Sequence, residues 1–200
     1  MKILIIVDMQ KDFLTGSLAN PDAVAIIPGI CDYIKHFDGK IVCTYDTHTV
    51  NYLLSTEGKY LPVEHCIKGT DGWNLDTAIY DTLRKRQAHL LKAAEKDEIS
   101  PESRLMKMFK SEPVFLEKST FGFTGWKDLH FDSPSTGDPV DEIIMVGTCT
   151  DICVVSNALI LKATYPNIKI TVLKDLCAGL SKEKHEAALE TMRSCQVEVN

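Results

Sequence analysis

Short apolar runs alternate with helical patterns along this chain. The strand candidates are residues 3–7, 40–45, 113–117, 142–146 and 168–173, with a weaker one at 196–199, and the helical patterns lie at about 21–37, 74–95, 151–164 and 182–194. Several strand candidates are apolar throughout, which is typical of strands that helices cover on both faces. The alternation predicts an α/β fold: a doubly wound, Rossmann-like three-layer structure with a mostly parallel sheet of about six strands.

Length and composition narrow the class of protein. A chain of 200 residues predicts one domain spanning residues 1–200. The net charge of −6 argues against a nucleic-acid partner and against an anionic membrane surface. We expect no membrane span and no signal peptide, because the apolar start reads as a strand, and we expect a cytoplasmic protein. The seven cysteines lack framework spacing, which favours reduced thiols.

Two segments interrupt the alternation. Residues 47–73 form a long connection that carries His48 and His65. Long connections in compact domains are usually functional. Residues 84–112 are highly charged, and a solvated helix pair with a turn at Ser100 and Pro101 is favoured over a binding surface.

Chemically useful side chains follow four of the predicted strands. They are Asp8, Asp46, Lys118 and Cys153. Each has an ordinary alternative, such as a turn cap, a surface lysine or a core cysteine. Ligands of open parallel sheets bind outside the carboxyl ends of the strands, however, so we expect these groups to converge on one edge.

Cys153 falls in the first turn of a predicted helix, directly after a buried strand. A helix N-terminus lowers the pKa of a thiol and exposes its sulfur. Lys118 would favour the thiolate, and Asp8 would accept the thiol proton. A carboxylate base is favoured over a histidine because only His48 lies near a predicted strand end.

Asp46, His48 and His65 have the spacing of metal ligands. Residues i and i+2 of an extended segment point the same way, so Asp46 and His48 would share one side, and His65 would add a third ligand from the loop. Carboxylate and imidazole ligands suit zinc, iron or manganese. Two polar loop histidines without a metal are the alternative. Cys66 should point away from His65.

Five ordered motifs resemble those of the isochorismatase-like cysteine hydrolases, and nicotinamidase-like members in particular. The motifs are residues 7–13 (Val-Asp-Met-Gln-Lys-Asp-Phe), 46–48 (Asp-Thr-His), 65–72 (His-Cys-Ile-Lys-Gly-Thr-Asp-Gly), 118–121 (Lys-Ser-Thr-Phe) and 147–154 (Gly-Thr-Cys-Thr-Asp-Ile-Cys-Val). The resemblance spans nearly the whole chain. It implies a small-molecule amide substrate, hydrolysis of nicotinamide to nicotinate and ammonia through a thioester, and a homo-oligomer.

The resemblance also implies roles for individual residues. The catalytic residues would be Asp8, Lys118 and Cys153. The backbone N–H groups of Cys149 and Cys153 would form an oxyanion hole, with a cis peptide bond between Thr148 and Cys149. A divalent ion, zinc first and iron or manganese as alternatives, would be bound by three ligands, namely Asp46, His48 and His65.

The sequence departs from the family pattern around the metal and the ring pocket. Residues 49–64 contain no further histidine, so Glu57 is the candidate fourth ligand and Glu64 its competitor. The usual aromatic residue before His65 is missing. The predicted pocket residues are Phe13, Phe121 and Thr148, with Tyr60 and Phe123 as further aromatic candidates.

Three other functions stay open on the sequence alone. The chain could be a family hydrolase that acts on another amide, an N-carbamoyl group or an isochorismate-type vinyl ether. It could instead be a thiol redox protein that uses Cys149 and Cys153. It could also be a non-catalytic binding protein on the same fold.

Overall fold

The computed structural model describes residues 1–96, 113–129, 131 and 139–200, with residues 91–96 described by their backbone alone. The described strands form one six-stranded sheet in the order β3-β2-β1-β4-β5-β6, and every pairing in it is parallel. The strands are β1 (Lys2–Val7), β2 (Lys40–Asp46), β3 (Val114–Lys118), β4 (Glu142–Thr148), β5 (Lys169–Ala178) and β6 (Glu198–Val199).

Helices cover both faces of this sheet. They are α1 (Lys11–Leu14), α2 (Pro21–Ala25), α3 (Ile27–His36), α4 (Thr56–Tyr60), α5 (Thr77–Lys96), α6 (Val155–Thr164) and α7 (Lys182–Ser194). Short 3₁₀ turns lie at Tyr52–Leu54 and Thr124–Leu129, and a π-helical turn at Thr150–Val154 leads into α6. Within the described part of the chain, no helix combines the length and the apolar character needed to cross a bilayer.

The central strand β1 shows why helices cover both faces of the sheet. Ile3, Ile5 and Val7 are fully buried on one face, in a core with α6 and α7, while Leu4 and Ile6 are fully buried on the other, in a core with α3 and α5. A strand apolar on both faces requires two helical layers. The predicted fold class is therefore confirmed.

Some predicted boundaries were wrong for local physical reasons. The helical pattern at 21–37 is two helices, because the first helix ends before Ile26 and Pro28 lies in the first turn of α3. Strand β5 continues past Leu173 to Ala178, across an irregularity in its pairing with β4. The helix from 182 to 194, with Ser181 as its N-cap, is as predicted.

Part of the charged segment 84–112 is folded against the domain. Helix α5 runs to Lys96, and the Arg86 guanidinium donates hydrogen bonds to the carbonyls of Phe37 (3.1 Å) and Gly39 (2.9 Å). The predicted turn at Ser100 and Pro101 lies outside the described residues.

The strand order changes direction at β1, which places the candidate site. Strand β2 pairs with one edge of β1 and β4 with the other, so a crevice opens beyond their carboxyl ends. Gly147 of β4 has a φ of 121°, and a Cβ there would collide with the backbone of Val7. Glycine thus lets β4 approach β1 closely, just before Asp8 and the turn that carries Cys153.

Candidate active site

The carboxyl ends of β1, β3 and β4 bring three reactive side chains together. The Nζ atom of Lys118 lies 2.6 Å from Oδ2 of Asp8 and 3.6 Å from Sγ of Cys153. The side chains of Lys118 and Asp8 are 1% and 0% exposed, and Cys153 is also buried. A carboxylate, an ammonium group and a thiol are therefore in mutual reach and shielded from bulk water.

The position of Asp8 is set by its backbone conformation and by hydrogen bonds with Thr44. Its φ of 47° lies in the left-handed region, which aspartate tolerates better than most residues. The Thr44 hydroxyl donates to Oδ1 of Asp8 at 2.7 Å, and the Asp8 N–H donates to that hydroxyl at 3.3 Å. Oδ2 faces the Lys118 ammonium, whose Nζ lies 2.6 Å away. One oxygen of Asp8 is thus bound to Thr44, and the other contacts Lys118.

The electrostatics of Cys153 differ from the sequence expectation. Burial raises the pKa of the Cys153 thiol well above its usual value, the charge of Asp8 raises it further, and Lys118 offsets only part of this. The expected lowering of the thiol pKa by a helix N-terminus is therefore wrong, because desolvation and the adjacent carboxylate outweigh it. The thiol is neutral at rest, so its proton must leave as the sulfur attacks.

The partners of the thiol suit such a transfer. Burial raises the pKa of the Asp8 carboxyl, Lys118 opposes this rise, and Asp46 adds to it. For Lys118, burial favours the neutral amine, but the charges of Asp8 and Asp46 raise its pKa above the usual value. Asp8 is therefore a stronger base than an exposed aspartate, beside a permanent cation.

Next to this triad, four side chains form a cluster that fits a metal ion. Asp46, His48, Glu57 and His65 each offer one ligand atom, and these atoms all lie within 4.8 Å of one another. Nε2 of His48 is 3.0 Å from Oδ2 of Asp46 and 3.8 Å from Oε1 of Glu57, and Nε2 of His65 is 3.5 and 3.8 Å from the same atoms. Ligands at zinc bond lengths in a tetrahedron are about 3.4 Å apart, so these spacings match. Glu64 is exposed and outside the cluster.

The loops around the cluster orient its imidazoles. Nδ1 of His65 donates to the carbonyl of Val63 at 2.8 Å, which leaves Nε2 free to ligate. His48 and the segment 66–68 pair like short parallel strands: its N–H donates to the Cys66 carbonyl and its carbonyl accepts from Lys68, both at 2.9 Å. The Tyr52 ring lies 4.6 and 4.9 Å from the two imidazoles, centroid to centroid. The ligand segments are therefore fixed relative to each other.

Two further side chains support the cluster without joining it. The fully buried Gln10 amide brackets the backbone of Asp46: its Oε1 accepts from the Asp46 N–H at 2.7 Å, and its Nε2 donates to the carbonyls of Asp46 (2.8 Å) and Trp73 (2.9 Å). Asp12 accepts from the N–H of Cys66 at 2.7 Å. Our sequence reasoning missed both, although a glutamine and an aspartate two and four residues after Asp8 were the available signal.

Asp46 joins the triad to the cluster. Its Oδ1 lies 3.4 Å from Nζ of Lys118, while its Oδ2 contacts both histidines. Burial alone would raise the pKa of Asp46, but hydrogen bonds from His48 and His65 and the charge of Lys118 hold it well below the usual value. Asp46 is therefore a permanent carboxylate shared by two groups of residues.

A cleft of about 850 Å³ opens beside these groups. It has a floor formed by His48 and Glu57, and walls that include Tyr60, Phe121 and the residues flanking Cys153; the full lining is His48, Ser55, Thr56, Glu57, Tyr60, Leu61, Ser119, Thr120, Phe121, Asp151, Ile152 and Ser156. Its size suits a small aromatic or aliphatic molecule.

The other predicted site residues have varied positions. Phe13 packs against His65 at 5.6 Å between ring centroids, Phe123 packs edge-on against Trp126, and Thr148 is buried with its hydroxyl bonded to a backbone carbonyl, so none of the three lines this cleft. The peptide bond between Thr148 and Cys149 is cis, as expected. All seven cysteines are free.

Comparisons with known proteins agree with this geometry. The family model described as the isochorismatase domain matches residues 2–200. The chain belongs to the isochorismatase family of hydrolases. It is similar, at 28% identity over 224 residues, to the nicotinamidase/pyrazinamidase of Mycobacterium tuberculosis, with 100% of this chain and 98% of that protein covered.

Solved structures extend the comparison to the fold. A pyrazinamidase/nicotinamidase from Streptococcus mutans UA159 superposes with a TM-score of 0.73 at 26% identity and full coverage of both chains. A pyrazinamidase of Pyrococcus horikoshii in complex with zinc superposes with a TM-score of 0.70 at 24% identity, over 100% of this chain and 98% of that one. The six-stranded parallel sheet is therefore the fold of nicotinamidase-like members of the family.

Proposed function

We propose that this protein is a cysteine-dependent amide hydrolase that converts nicotinamide to nicotinate and ammonia. The observation that carries the proposal is the position of Lys118, whose Nζ contacts both the Asp8 carboxylate at 2.6 Å and the Cys153 sulfur at 3.6 Å. The nicotinamidase/pyrazinamidase name of the Mycobacterium tuberculosis relative supports the choice of substrate.

The first half of the proposed reaction acylates Cys153. As the sulfur attacks the amide carbonyl carbon, its proton passes to the carboxylate of Asp8, which contacts the same Lys118 ammonium as the sulfur. Lys118 stabilises the negative charge on the sulfur. The N–H groups of Cys149 and Cys153 are assigned to the oxyanion of the tetrahedral intermediate. Asp8 then returns the proton to the leaving nitrogen, so the carbon–nitrogen bond breaks and ammonia departs.

The second half releases the acid. A water molecule attacks the thioester carbon while Asp8 takes one of its protons, and the second tetrahedral intermediate collapses with loss of the sulfur. That proton returns from Asp8 to Cys153. The carboxylic acid leaves, and the thiol and carboxylate of the resting site are restored. Each proton is thus carried by Asp8, the pKa of which burial raises above its usual value.

The proposal includes a divalent ion held by Asp46, His48, Glu57 and His65. Two imidazoles and two carboxylates with matching spacings suit zinc, and iron or manganese as alternatives. When bound, such an ion supplies a Lewis-acidic position for a ring nitrogen or a water at the floor of the cleft. The zinc in the Pyrococcus horikoshii structure supports the first choice.

Ammonia release from a panel of small substrates tests the function. The panel contains nicotinamide, pyrazinamide, an aliphatic amide and an N-carbamoyl amine, with isochorismate followed separately by loss of its absorbance. Nicotinamide and pyrazinamide should react fastest. A faster reaction with another member would move the protein to that substrate, and no turnover of any of them would contradict the proposal.

Two cysteine variants test the nucleophile. Cys153→Ala should lose turnover and keep its fold, because the sulfur is the attacking atom. Cys195→Ala is the matched control: Cys195 is the exposed thiol at the end of α7 and should be dispensable. The wild-type protein quenched in acid during turnover should show the acyl mass on the peptide that contains Cys153. Activity in Cys153→Ala would refute the assignment.

A further inference from the structure

Asn157 is a buried polar side chain one helical turn after Cys153. It belongs to α6, is 0% exposed, and makes four hydrogen bonds. Its Nδ2 donates to the carbonyls of Cys153 (2.8 Å) and Phe121 (3.2 Å). Its Oδ1 accepts from the backbone N–H of Phe123 (2.9 Å) and from Nε1 of Trp126 (3.0 Å). A carboxamide has two N–H donors and two acceptor sites, so every position is used.

These four bonds join two parts of the candidate site. One partner is the backbone of the nucleophile itself. The others belong to segment 121–126, which follows Lys118 and includes Phe121 in the wall of the cleft. A fully satisfied polar group in a dry interior fixes one arrangement of its partners, because any shift leaves a buried donor or acceptor unpaired.

We propose that Asn157 is a positioning residue that couples the orientation of Cys153 to the wall of the substrate cleft around Phe121. The inference rests on the proposed role of Cys153 as nucleophile. Asn157 touches neither the sulfur nor the cleft, and acts through two backbone carbonyls. Its amide thereby fixes the turn that carries the thiol relative to this wall.

Segment 121–126, which contains the wall, has a second hydrogen bond at its far end that does not involve Asn157. This second contact allows a positioning role of Asn157 to be distinguished from simple support of the segment. The Tyr165 hydroxyl donates to the carbonyl of Trp126 at 2.6 Å, and the Trp126 ring packs edge-on against Phe123 at 5.1 Å between centroids. The Tyr165 hydroxyl, directly after α6, thus holds the end of segment 121–126 without involving Cys153. The bond from Asn157 to the Cys153 carbonyl therefore adds a connection that packing of the segment does not need.

Three variants separate the roles. Asn157→Asp keeps both accepted bonds but replaces the amide that donates to the carbonyls of Cys153 and Phe121 with a carboxyl oxygen, which can donate to one of them at most. Asn157→Ser places a hydroxyl that can donate to the carbonyl four residues back, which is that of Cys153, but is too short to hold the wall. Tyr165→Phe removes a buried hydrogen bond to the same segment and leaves Asn157 intact, so it is the matched control.

The readouts are kcat and KM for nicotinamide, the pH dependence of Cys153 alkylation by iodoacetamide, and thermal stability. Asn157→Asp should lower kcat about 10- to 100-fold, as expected for a displaced nucleophile, and should lower the rate of Cys153 alkylation across the pH range. Asn157→Ser should leave the alkylation profile of Cys153 unchanged and should raise the KM for nicotinamide roughly several-fold. Tyr165→Phe should lower the melting temperature alone.

The proposal is overturned if Asn157→Asp changes only stability, as Tyr165→Phe does, or if Asn157→Ser and Asn157→Asp give the same alkylation profile. Loss of folding in both Asn157 variants would assign the residue to architecture and also overturn it. Alkylation requires no substrate. A wild-type protein that hydrolyses no amide would therefore refute the proposed function while the alkylation comparison still decides the role of Asn157.

Discussion

Replacement of Lys118 by methionine tests the electrostatic reasoning about the site most directly. The methionine keeps an unbranched, apolar side chain of similar length and removes the cation that lies 2.6 Å from Asp8 and 3.4 Å from Asp46. With an effective dielectric constant of about 20, the attraction across 2.6 Å is about 6 kcal/mol before the cost of burial is subtracted. Loss of one partner of a buried pair typically costs about 3–5 kcal/mol.

Protonation of Asp8 limits that cost. An unpaired, buried carboxyl group can take up a proton, and from a reference pKa of about 3.9 this costs about 4 kcal/mol at pH 7. We therefore expect Lys118→Met to lower the free energy of unfolding by about 4 kcal/mol at pH 7. The variant should also lose turnover, because a protonated Asp8 cannot accept the thiol proton.

The pH dependence of this loss has a definite sign. In the variant, the folded pKa of Asp8 lies above its unfolded value, so between about pH 4 and pH 7 the folded state binds more protons than the unfolded state. Stability then falls as pH rises, by about 1.4 kcal/mol per pH unit. The difference from wild type should shrink from pH 7 toward pH 5 by less than that amount per unit, because burial also raises the pKa of Asp8 in the wild type.

Urea denaturation followed by circular dichroism at pH 5, 6 and 7 measures this difference. The double variant Asp8→Asn/Lys118→Met removes both charges and should lose the pH dependence. Asp8→Asn alone should cost less than Lys118→Met, because the ammonium keeps Asp46 as a partner. A loss in Lys118→Met that is independent of pH, or smaller than about 1 kcal/mol, would refute the assignment of a buried, ionised pair.

The remaining predictions concern the thiol and the metal cluster. Asp8→Asn should abolish turnover yet speed the alkylation of Cys153 at pH 7, because it removes a charge that raises the thiol pKa. Mass spectrometry of the labelled peptide measures the alkylation rate, and slower labelling would contradict the electrostatic argument. Glu57→Gln should weaken zinc binding by at least about tenfold in competition with a chromophoric chelator, whereas Glu64→Gln, the exposed neighbour, should not. Gln10→Glu turns an oxygen toward the carbonyls of Asp46 and Trp73, and should weaken zinc binding about 10- to 100-fold without touching a ligand atom. Dialysis against a strong chelator should remove the metal and, with it, nicotinamide turnover, and zinc should restore both.

The fold could be predicted because its signals are local. Strand β1 is apolar at every position from Ile3 to Val7, which requires cover on both faces, and the order of strands and helices leaves few topologies. The break at Ile26 was missed because the pattern of apolar residues continues across it. The extension of β5 was missed because the exposed Lys174 and Asp175 interrupt its apolar pattern.

The convergence of Asp8, Asp46, Lys118 and Cys153 could also be predicted, since each follows a strand end and parallel strands end at one edge. What could not be predicted is the balance of charges among them. Whether a thiol near a lysine and an aspartate is ionised depends on distances and on burial. The spacing of residues in the sequence contains neither quantity, so the helix N-terminus suggested the wrong direction for the thiol pKa.

The same argument explains why Asn157 and Gln10 were missed. Both are buried amides that act on backbone groups, Asn157 on Cys153 and Phe121, and Gln10 on Asp46. Because backbone groups are the same in nearly every residue type, a side chain that binds a backbone atom does not require a particular residue at the partner position. No motif of reactive residues therefore points to it. Its signal is the burial of a polar side chain, which costs free energy unless every hydrogen bond is made. At both positions the partners include the backbone of a residue that the proposal uses, Cys153 for Asn157 and Asp46 for Gln10. The reactive groups are therefore the part of this site that the sequence predicts, while the groups that orient them require the structure.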